Sequence, residues 1–221
     1  MNLADYIDHT LLKADAGIED IIRLCEEAAE YQFAAVCINP CYVDLAAHQL
    51  RGTGVKTATV IGFPLGANLT AVKVFEAKEA ILRKADELDM VMNLAAAKAG
   101  QWQAVTEEIR QVVEAAEGKL VKVILETCLL TEEEKRQACH SVLAGGAHFV
   151  KTSTGFGSAG AQLADIRLFR QEVGDQIGIK ASGGIRSKEQ AEQFIAAGAT
   201  RIGTSAGILI AGPRKSVEEN P

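Results

Sequence analysis

The chain has 221 residues, of which 48% are hydrophobic and only 5% aromatic, a composition that suits one globular domain with an aliphatic, alanine-rich core. Its formal net charge is −6 and its lysines and arginines form no basic block, which argues against nucleic acid or an anionic membrane as a partner. The opening MNLADYIDHT has neither the basic nor the apolar segment of a signal peptide, and no apolar run reaches the roughly 18 residues of a membrane span. We therefore expect a cytoplasmic protein.

The five cysteines are an odd number and are scattered along the chain, unlike the disulfide framework of a short secreted domain. Reduced thiols are the simplest interpretation. Cys37, Cys41 and His48 have some features of a zinc site, but neither a second cysteine pair nor an HxxxH partner accompanies them. We expect no metal ion, and we expect Cys37 to be packed in the core.

Strand-like runs alternate with helix-like runs along the whole chain, a pattern that predicts βα units and a parallel sheet rather than an antiparallel meander. The eight predicted strands are residues 7–11, 34–38, 55–61, 88–93, 120–126, 148–153, 177–182 and 200–204. The predicted helices are residues 18–31, 40–51, 70–85, 101–117, 131–144, 161–173 and 187–197, and a last helical stretch follows the eighth strand.

Local signals mark several helix ends. Thr131 with Glu134 and Ser187 with Gln190 have the spacing of capping boxes, in which the two side chains satisfy free N–H groups reciprocally. Eight βα units in little more than 200 residues predict an α/β fold, a single-domain TIM (β/α)8 barrel that spans residues 1–221. The polar tail from about residue 212, GPRKSVEENP, is expected to fray.

Three predicted strands carry a charged residue near their carboxyl ends: Asp89 in LDMVMN, Lys151 in FVKTS and Lys180 in IGIKAS. Strands that are buried on both faces are normally apolar, because an isolated buried ion is costly. In a barrel, alternate residues point into the lumen, and catalytic side chains come from the carboxyl ends of several strands. The sequence therefore predicts that one carboxylate and two amines converge.

Two interpretations of these residues stand side by side. The lysines are either structural ion-pair partners of Asp89 or a catalytic pair. In a catalytic pair, burial and a neighbouring ammonium both lower the pKa of an amine, and the neutral amine attacks a carbonyl. We predict Lys151 as a Schiff-base nucleophile, Lys180 as the cation that lowers its pKa, and Asp89 as a proton-transfer or orienting group. Asp8 is either a counter-ion of Lys180 or the cap of a turn.

Glycine-rich turns follow the seventh and eighth predicted strands, as Ser182-Gly183-Gly184 and Gly203-Thr-Ser-Ala-Gly207. In TIM barrels these two loops and a short helix commonly bind phosphate through backbone N–H groups. We predict a phosphate site here, and Arg186 either assists it or is an exposed residue at a helix start.

Gly155, Gly157 and Gly160 form a literal GxGxxG after a strand, and Asp175 stands twenty residues beyond Gly155. A dinucleotide site would need its acidic residue at the carboxyl end of the next strand, whereas Asp175 precedes that strand and Ser182 ends it. We therefore expect no dinucleotide here, and the chain lacks the GxxxxGK[ST] motif of a P-loop.

Six blocks resemble the deoxyribose-phosphate aldolase family of the short bacterial type and extend along most of the chain. They are DHTLLK from Asp8, VCINP from Val36, VIGFPLG from Val60, ELDMVMN from Glu87, FVKTSTG from Phe149 and IKASGGIR from Ile179.

The resemblance implies a TIM barrel that reversibly cleaves 2-deoxy-D-ribose 5-phosphate to acetaldehyde and D-glyceraldehyde 3-phosphate, without metal or cofactor, as a homodimer. It implies for Lys151, Lys180 and Asp89 the roles proposed above from the residues. It also implies substrate contacts, chiefly to the phosphate, at Thr154, Gly155, Gly183, Gly184, Gly203 and Ser205, and a pocket lined by Asp8, Thr10 and Cys37.

Two other functions remain as alternatives from the residues. One is a phosphate-binding isomerase or a different Schiff-base lyase on the same fold, which would act on a different sugar phosphate. The other is a sensor that binds a sugar phosphate without turnover, in which loss of Lys151 would change nothing.

Overall fold

The computed structural model describes residues 2–213, and eight parallel strands close into one barrel in chain order. Each strand pairs with its neighbours in sequence, and β1 pairs with β8. The predicted TIM barrel is confirmed. The strands are β1 (Ile7–Leu11), β2 (Ala35–Ile38), β3 (Lys56–Ile61), β4 (Glu87–Val91), β5 (Leu120–Ile124), β6 (Phe149–Lys151), β7 (Gly178–Ser182) and β8 (Arg201–Thr204).

Helices connect the strands around the outside of the barrel. They are α1 (Ile18–Tyr31), α2 (Val43–Gln49), α3 (Thr70–Leu82), α4 (Leu94–Lys98), α5 (Trp102–Ala115), α6 (Glu132–Ala144), α7 (Leu163–Val173), α8 (Lys188–Ala196) and α9 (Gly207–Ala211). Short 3₁₀ turns occupy Leu3–Tyr6, Pro40–Tyr42 and Thr127–Leu129.

Apolar spacing explains how the helices pack. In α5, Val105, Ile109 and Val112 recur at three- and four-residue intervals and are fully buried, so they form the stripe that faces the strands. The main hydrophobic core lies between this outer ring of helices and the barrel. A second, small apolar cluster is made of Leu12, Ala35, Cys37, Ala58 and Val60.

Both predicted capping boxes are present. The Thr131 hydroxyl accepts the N–H of Glu134, whose carboxylate accepts the N–H of Thr131 at 2.7 Å. Ser187 and Gln190 are arranged in the same way at the start of α8. These reciprocal bonds satisfy N–H groups that the first turn of a helix leaves free, so two helix starts are fixed locally.

Most element boundaries lie within a few residues of the prediction, and three differences are described here. Residues 40–51 divide into a 3₁₀ turn and α2, and the predicted strand 148–153 has its ladder only at Phe149–Lys151. The sequence prediction also placed no helix at α4, which begins after Asn93, whose Oδ1 accepts the Ala96 N–H at 3.0 Å.

The predicted polar tail lies outside the described residues from position 214 onwards. Within residues 2–213, no helix is both long enough and apolar enough to cross a membrane.

Candidate active site

Seven charged side chains meet inside the barrel in the part of the chain that the structure describes. They come from six different strands and contact one another across the lumen, so they point inward. Six are buried and one, Arg201, is half-buried. They are the carboxylates of Asp8, Glu87 and Asp89 and the cations of Lys122, Lys151, Lys180 and Arg201.

Asp89 lies at the centre of this cluster. Its Oδ2 accepts hydrogen bonds from Lys151 Nζ at 2.6 Å and from Lys180 Nζ at 2.7 Å. Its Oδ1 accepts one from Lys122 Nζ at 2.7 Å. Burial by itself would raise the pKa of Asp89, but the three lysines hold it well below its ordinary value. The two lysines singled out in the sequence therefore touch one and the same carboxylate oxygen.

Asp8 is the second carboxylate of the cluster. Its Oδ2 accepts a hydrogen bond from Lys180 Nζ, and its Oδ1 accepts one from Arg201 Nη1 at 2.6 Å. Burial opposes ionisation, yet these two cations lower the pKa of the Asp8 carboxyl. Of the two interpretations of Asp8, the counter-ion of Lys180 matches these contacts.

The two predicted catalytic lysines have opposite electrostatic environments. Burial would lower the pKa of Lys180, but Asp8 and Asp89 outweigh it and raise that pKa. For Lys151, burial and the nearby Lys180 ammonium lower the pKa, and Asp89 offsets this only in part. Lys180 is thus held as a cation, and Lys151 is the lysine whose proton is more easily lost.

Three members of the cluster were not singled out in the sequence. Lys122 Nζ donates to Glu87 Oε2 at 2.6 Å, and Arg201 Nη1 donates to the same oxygen at 3.2 Å. A signal existed for two of them, because Lys122 and Arg201 also lie inside predicted buried strands. Glu87 stands one residue before the predicted start of its strand, and a charged residue outside a predicted buried strand gives no signal.

A cavity of about 290 Å³ opens above the cluster at the carboxyl ends of the strands. Lys151 lies on its wall, whereas Asp8, Asp89, Lys180 and Cys37 are buried beneath it. Two further cations of the sequence blocks, Lys13 and Arg186, also line it. The predicted substrate-contact residues on its wall are Thr10, Thr154, Gly155, Gly183, Gly184, Gly203 and Ser205.

Backbone N–H groups around this cavity are free to bind an anion. Within residues 2–213, those of Gly155, Gly183, Gly184 and Ser205 donate to no protein acceptor. Gly183 has a φ of +90°, a conformation that glycine adopts without steric cost. Gly203 is explained by packing instead, because a Cβ there would lie 3.0 Å from Lys180 Cε.

Cys37 belongs to the apolar cluster on β2 and β3 and is fully buried, as expected. Burial raises the pKa of its thiol, so it is not poised as a thiolate. Cys41 is exposed, so the two cysteines of the zinc alternative have different surroundings. Among the described residues, no three His, Cys, Asp or Glu side chains are grouped to hold a metal ion.

Two glycines of the GxGxxG stretch, Gly157 and Gly160, have packing roles. A Cβ at Gly157 would lie 3.0 Å from Glu126 Oε1, and one at Gly160 would lie 2.0 Å from the Gly183 carbonyl oxygen. The stretch therefore passes close against the neighbouring βα loops, and α7 begins only at Leu163. Close approach explains Gly157 and Gly160 without a nucleotide, and Gly155 has a positive φ of +87°.

A closed parallel barrel with buried amines and a glycine-lined cavity at its carboxyl end has the arrangement of a TIM-barrel enzyme. The family model of the DeoC/LacD family aldolases matches residues 3–211, and the chain belongs to that family. The family resemblance read from the sequence blocks is confirmed.

Individual relatives are similar to this protein along nearly the whole chain. A Streptococcus mutans protein named deoxyribose-phosphate aldolase is 59% identical over 210 residues, which cover 95% of this chain and 96% of that protein. The solved structure of QR15, an aldolase, matches with 43% identity and a TM-score of 0.92, over 96% of this chain and 95% of its own. Deoxyribose phosphate aldolase from Aeropyrum pernix, described as a unique tetramer, matches with 36% identity and a TM-score of 0.89, over 95% and 89% of the two chains.

Proposed function

We propose that the protein is a class I aldolase that reversibly cleaves 2-deoxy-D-ribose 5-phosphate to acetaldehyde and D-glyceraldehyde 3-phosphate, in the breakdown of deoxyribonucleosides. The observation that carries this proposal is the position of Lys151. Among the described residues, Lys151 is the one lysine of the buried cluster that lines the cavity. The family membership and the relatives named deoxyribose-phosphate aldolase support the choice of substrate.

Charge balance favours Lys151 over Lys180 as the nucleophile. Within the described residues, four cations share the lumen with three carboxylates, so full ionisation would leave one positive charge unpaired. Burying an uncompensated charge is costly, so the favoured state has one cation fewer. Lys180 contacts two carboxylates, while Lys151 contacts one oxygen that it shares with Lys180. Lys151 is therefore the group that loses its proton.

The neutral amine then forms a carbinolamine with the aldehyde carbon C1 of the open-chain sugar, and protonation of the carbinolamine hydroxyl with loss of water gives the iminium. Removal of the C3 hydroxyl proton lets the C2–C3 bond break, and the iminium accepts its electron pair to become an enamine. D-Glyceraldehyde 3-phosphate leaves, the enamine carbon takes up a proton, and water releases acetaldehyde and restores Lys151. Asp89, whose Oδ2 lies 2.6 Å from Lys151 Nζ, orients the amine and is the nearest carboxylate for the proton transfers.

The phosphate group of the substrate is assigned to the glycine-lined side of the cavity. Free N–H groups at Gly155, Gly183, Gly184 and Ser205 supply donors for its oxygens, and Arg186 supplies positive charge on the same wall. The protein's net charge of −6 is no obstacle, because the local donors face the anion directly.

Reductive trapping tests the proposal. Acetaldehyde with borohydride is expected to attach an ethyl group to Lys151, and peptide mass spectrometry locates it. Lys73, a buried lysine that does not line the cavity, is the internal control and stays unlabelled. A label on Lys180 alone, or cleavage of a ketose phosphate but not of 2-deoxyribose 5-phosphate, would contradict the assignment.

We further propose that the protein is a homodimer. Leu65, Leu69, Val72 and Phe75 are all exposed on the segment that leads into α3 and on its first turns, and an apolar face of this kind suits a protein partner. Sedimentation is expected to give a dimer, and Phe75→Glu is expected to shift it to monomer. Leu209→Glu, at an exposed position on α9, is the control. A monomeric parent protein would refute the proposal.

We also propose that the protein resides in the cytoplasm. All five cysteines are free thiols, as suits a reducing compartment.

A further inference from the structure

Glu126 is a buried carboxylate that the reaction scheme does not use. It follows β5 at the carboxyl end of the barrel and is only 4% exposed. Its backbone has a φ of +52° and a ψ of +64°, a left-handed conformation that residues other than glycine adopt infrequently. Such a conformation persists where surrounding contacts fix it, so the contacts of the side chain are informative.

Those contacts are directed at the loop that follows the Lys151 strand. Glu126 Oε2 accepts the backbone N–H of Thr154 at 3.3 Å and the Thr154 hydroxyl. The hydroxyl oxygen in turn accepts the N–H of Phe156 at 3.0 Å. Both hydrogen-bond donors of Thr154 are thereby committed within the protein. Thr154 lines the cavity, but it offers the substrate no free donor in this arrangement.

The loop also passes close to the same carboxylate one turn later. A Cβ at Gly157 would lie 3.0 Å from Glu126 Oε1 and 3.0 Å from Cys128 Sγ, so a side chain there would crowd both groups. Residues 154–157 are thus folded around Glu126. Between the two anchored ends lies Gly155, whose N–H has no acceptor among the described residues and borders the cavity.

We propose that Glu126 is a positioning residue that sets the conformation of loop 154–157 and aims the Gly155 N–H at the phosphate group of the substrate. This inference rests on the proposed function, because it presupposes a phosphorylated substrate in the cavity. Glu126 itself touches no reacting atom. Its removal therefore weakens binding of the phosphorylated end and leaves the chemistry at Lys151 in place.

The test compares Glu126→Gln with the parent and with Glu133→Gln, the same change at an exposed position on α6. Glu126→Gln is expected to raise KM for 2-deoxyribose 5-phosphate about tenfold, which corresponds to the loss of one strong hydrogen bond. Its kcat, its activity on unphosphorylated 2-deoxyribose and its rate of acetaldehyde trapping at Lys151 are expected to stay within about twofold, because a change that removes only binding of the phosphorylated end raises KM and leaves the chemical step unchanged. Glu133→Gln is expected to match the parent in all four measurements.

A second pair of variants keeps the test decisive where Glu126→Gln folds poorly. Thr154→Val removes the hydroxyl and retains the branched shape, and it is expected to reproduce the KM increase. Thr154→Ser keeps a hydroxyl, and its KM is expected to lie near the parent value. The double variant Glu126→Gln/Thr154→Val is expected to be no worse than the poorer single variant, because both changes break the same connection.

Two outcomes would overturn the inference. One is an unchanged KM for the phosphorylated sugar, and the other is an equal loss on both sugars. Failure of the proposed function looks different, since the parent protein itself would then trap no acetaldehyde at Lys151.

Discussion

Two buried lysines of this protein, Lys73 and Lys151, share several local properties and differ in their setting. Lys73 lies on α3 outside the barrel, and its Nζ donates to Glu108 Oε2 at 2.8 Å and to the Val91 carbonyl at 2.9 Å. Lys151 lies inside the barrel and donates to Asp89 Oδ2 at 2.6 Å. Burial lowers the pKa of both amines.

The difference lies in charge balance and access. Lys73 has Glu108 as a carboxylate of its own and is fully buried, so the pair holds the end of β4 in place without reaching a ligand. Lys151 shares its one carboxylate oxygen with Lys180 and faces the cavity. A buried lysine with a lowered pKa is therefore no sufficient sign of catalysis. An unbalanced positive charge beside an open cavity is the stronger sign.

The largest expected effect comes from Lys151→Ala. We expect it to reduce cleavage of 2-deoxyribose 5-phosphate by about 10⁴-fold or more, because the variant has no amine to carry the covalent intermediate. Steady-state assays and borohydride trapping measure the loss, and circular dichroism verifies folding. Residual activity within about tenfold of the parent would show that Lys151 belongs with Lys73 as a structural lysine.

Asp89→Asn tests the shared carboxylate. The change leaves Lys122, Lys151 and Lys180 around a neutral side chain, and we expect it to lower the free energy of unfolding by about 3–5 kcal/mol, as removal of one buried ion-pair partner does. Urea titration measures this. Asp44→Asn, which breaks an exposed pair with Arg83, is the control and is expected to cost less than about 1 kcal/mol.

Asp89→Asn also distinguishes the two proposed roles of Asp89, which are proton transfer and orientation of the Lys151 amine. If trapping at Lys151 persists while cleavage falls by about 10²-fold or more, the size of a general acid–base contribution, Asp89 transfers protons. If trapping falls in parallel with cleavage, Asp89 chiefly orients the amine. A stable and fully active variant would contradict both roles.

Lys73→Met is the corresponding test on Lys73, the buried lysine outside the barrel. It leaves Glu108 buried without its cation, and we expect it to lower the free energy of unfolding by about 3–5 kcal/mol. Under native conditions its kcat is expected to stay within about threefold of the parent, because Lys73 does not line the cavity. A larger fall in kcat at full folding would erase the distinction between the two lysines.

The strand pattern of the sequence was sufficient for the barrel and for Lys151, Lys180 and Asp89 to be singled out, because charged residues in buried strands are conspicuous. Lys122 obeys the same rule and was accessible to it. The burial of Lys73 could not be predicted in this way, since a helical lysine is ordinarily exposed. Its burial depends on Glu108, 35 residues further along the chain.

Other parts of the site depend on long-range packing that no local pattern records. Glu126 contacts the Thr154 loop 28 residues later, and the sharing of one Asp89 oxygen by two amines is a property of barrel closure. The helix α4 was missed for a local reason, because five residues are too few to display helical periodicity.

The smallest expected effect concerns the pH dependence of trapping. Reaction requires the neutral amine, so the trapping rate rises as pH increases through the lowered pKa of Lys151, and its midpoint lies below the ordinary lysine value of 10.5. In Lys180→Met the like charge is gone and Asp89 Oδ2 is left to Lys151, so we expect the midpoint to move to higher pH. Lys73→Met is expected to leave the midpoint in place. A midpoint that moves to lower pH in Lys180→Met, or moves equally in both variants, would mean that the Lys180 ammonium does not set the reactivity of Lys151.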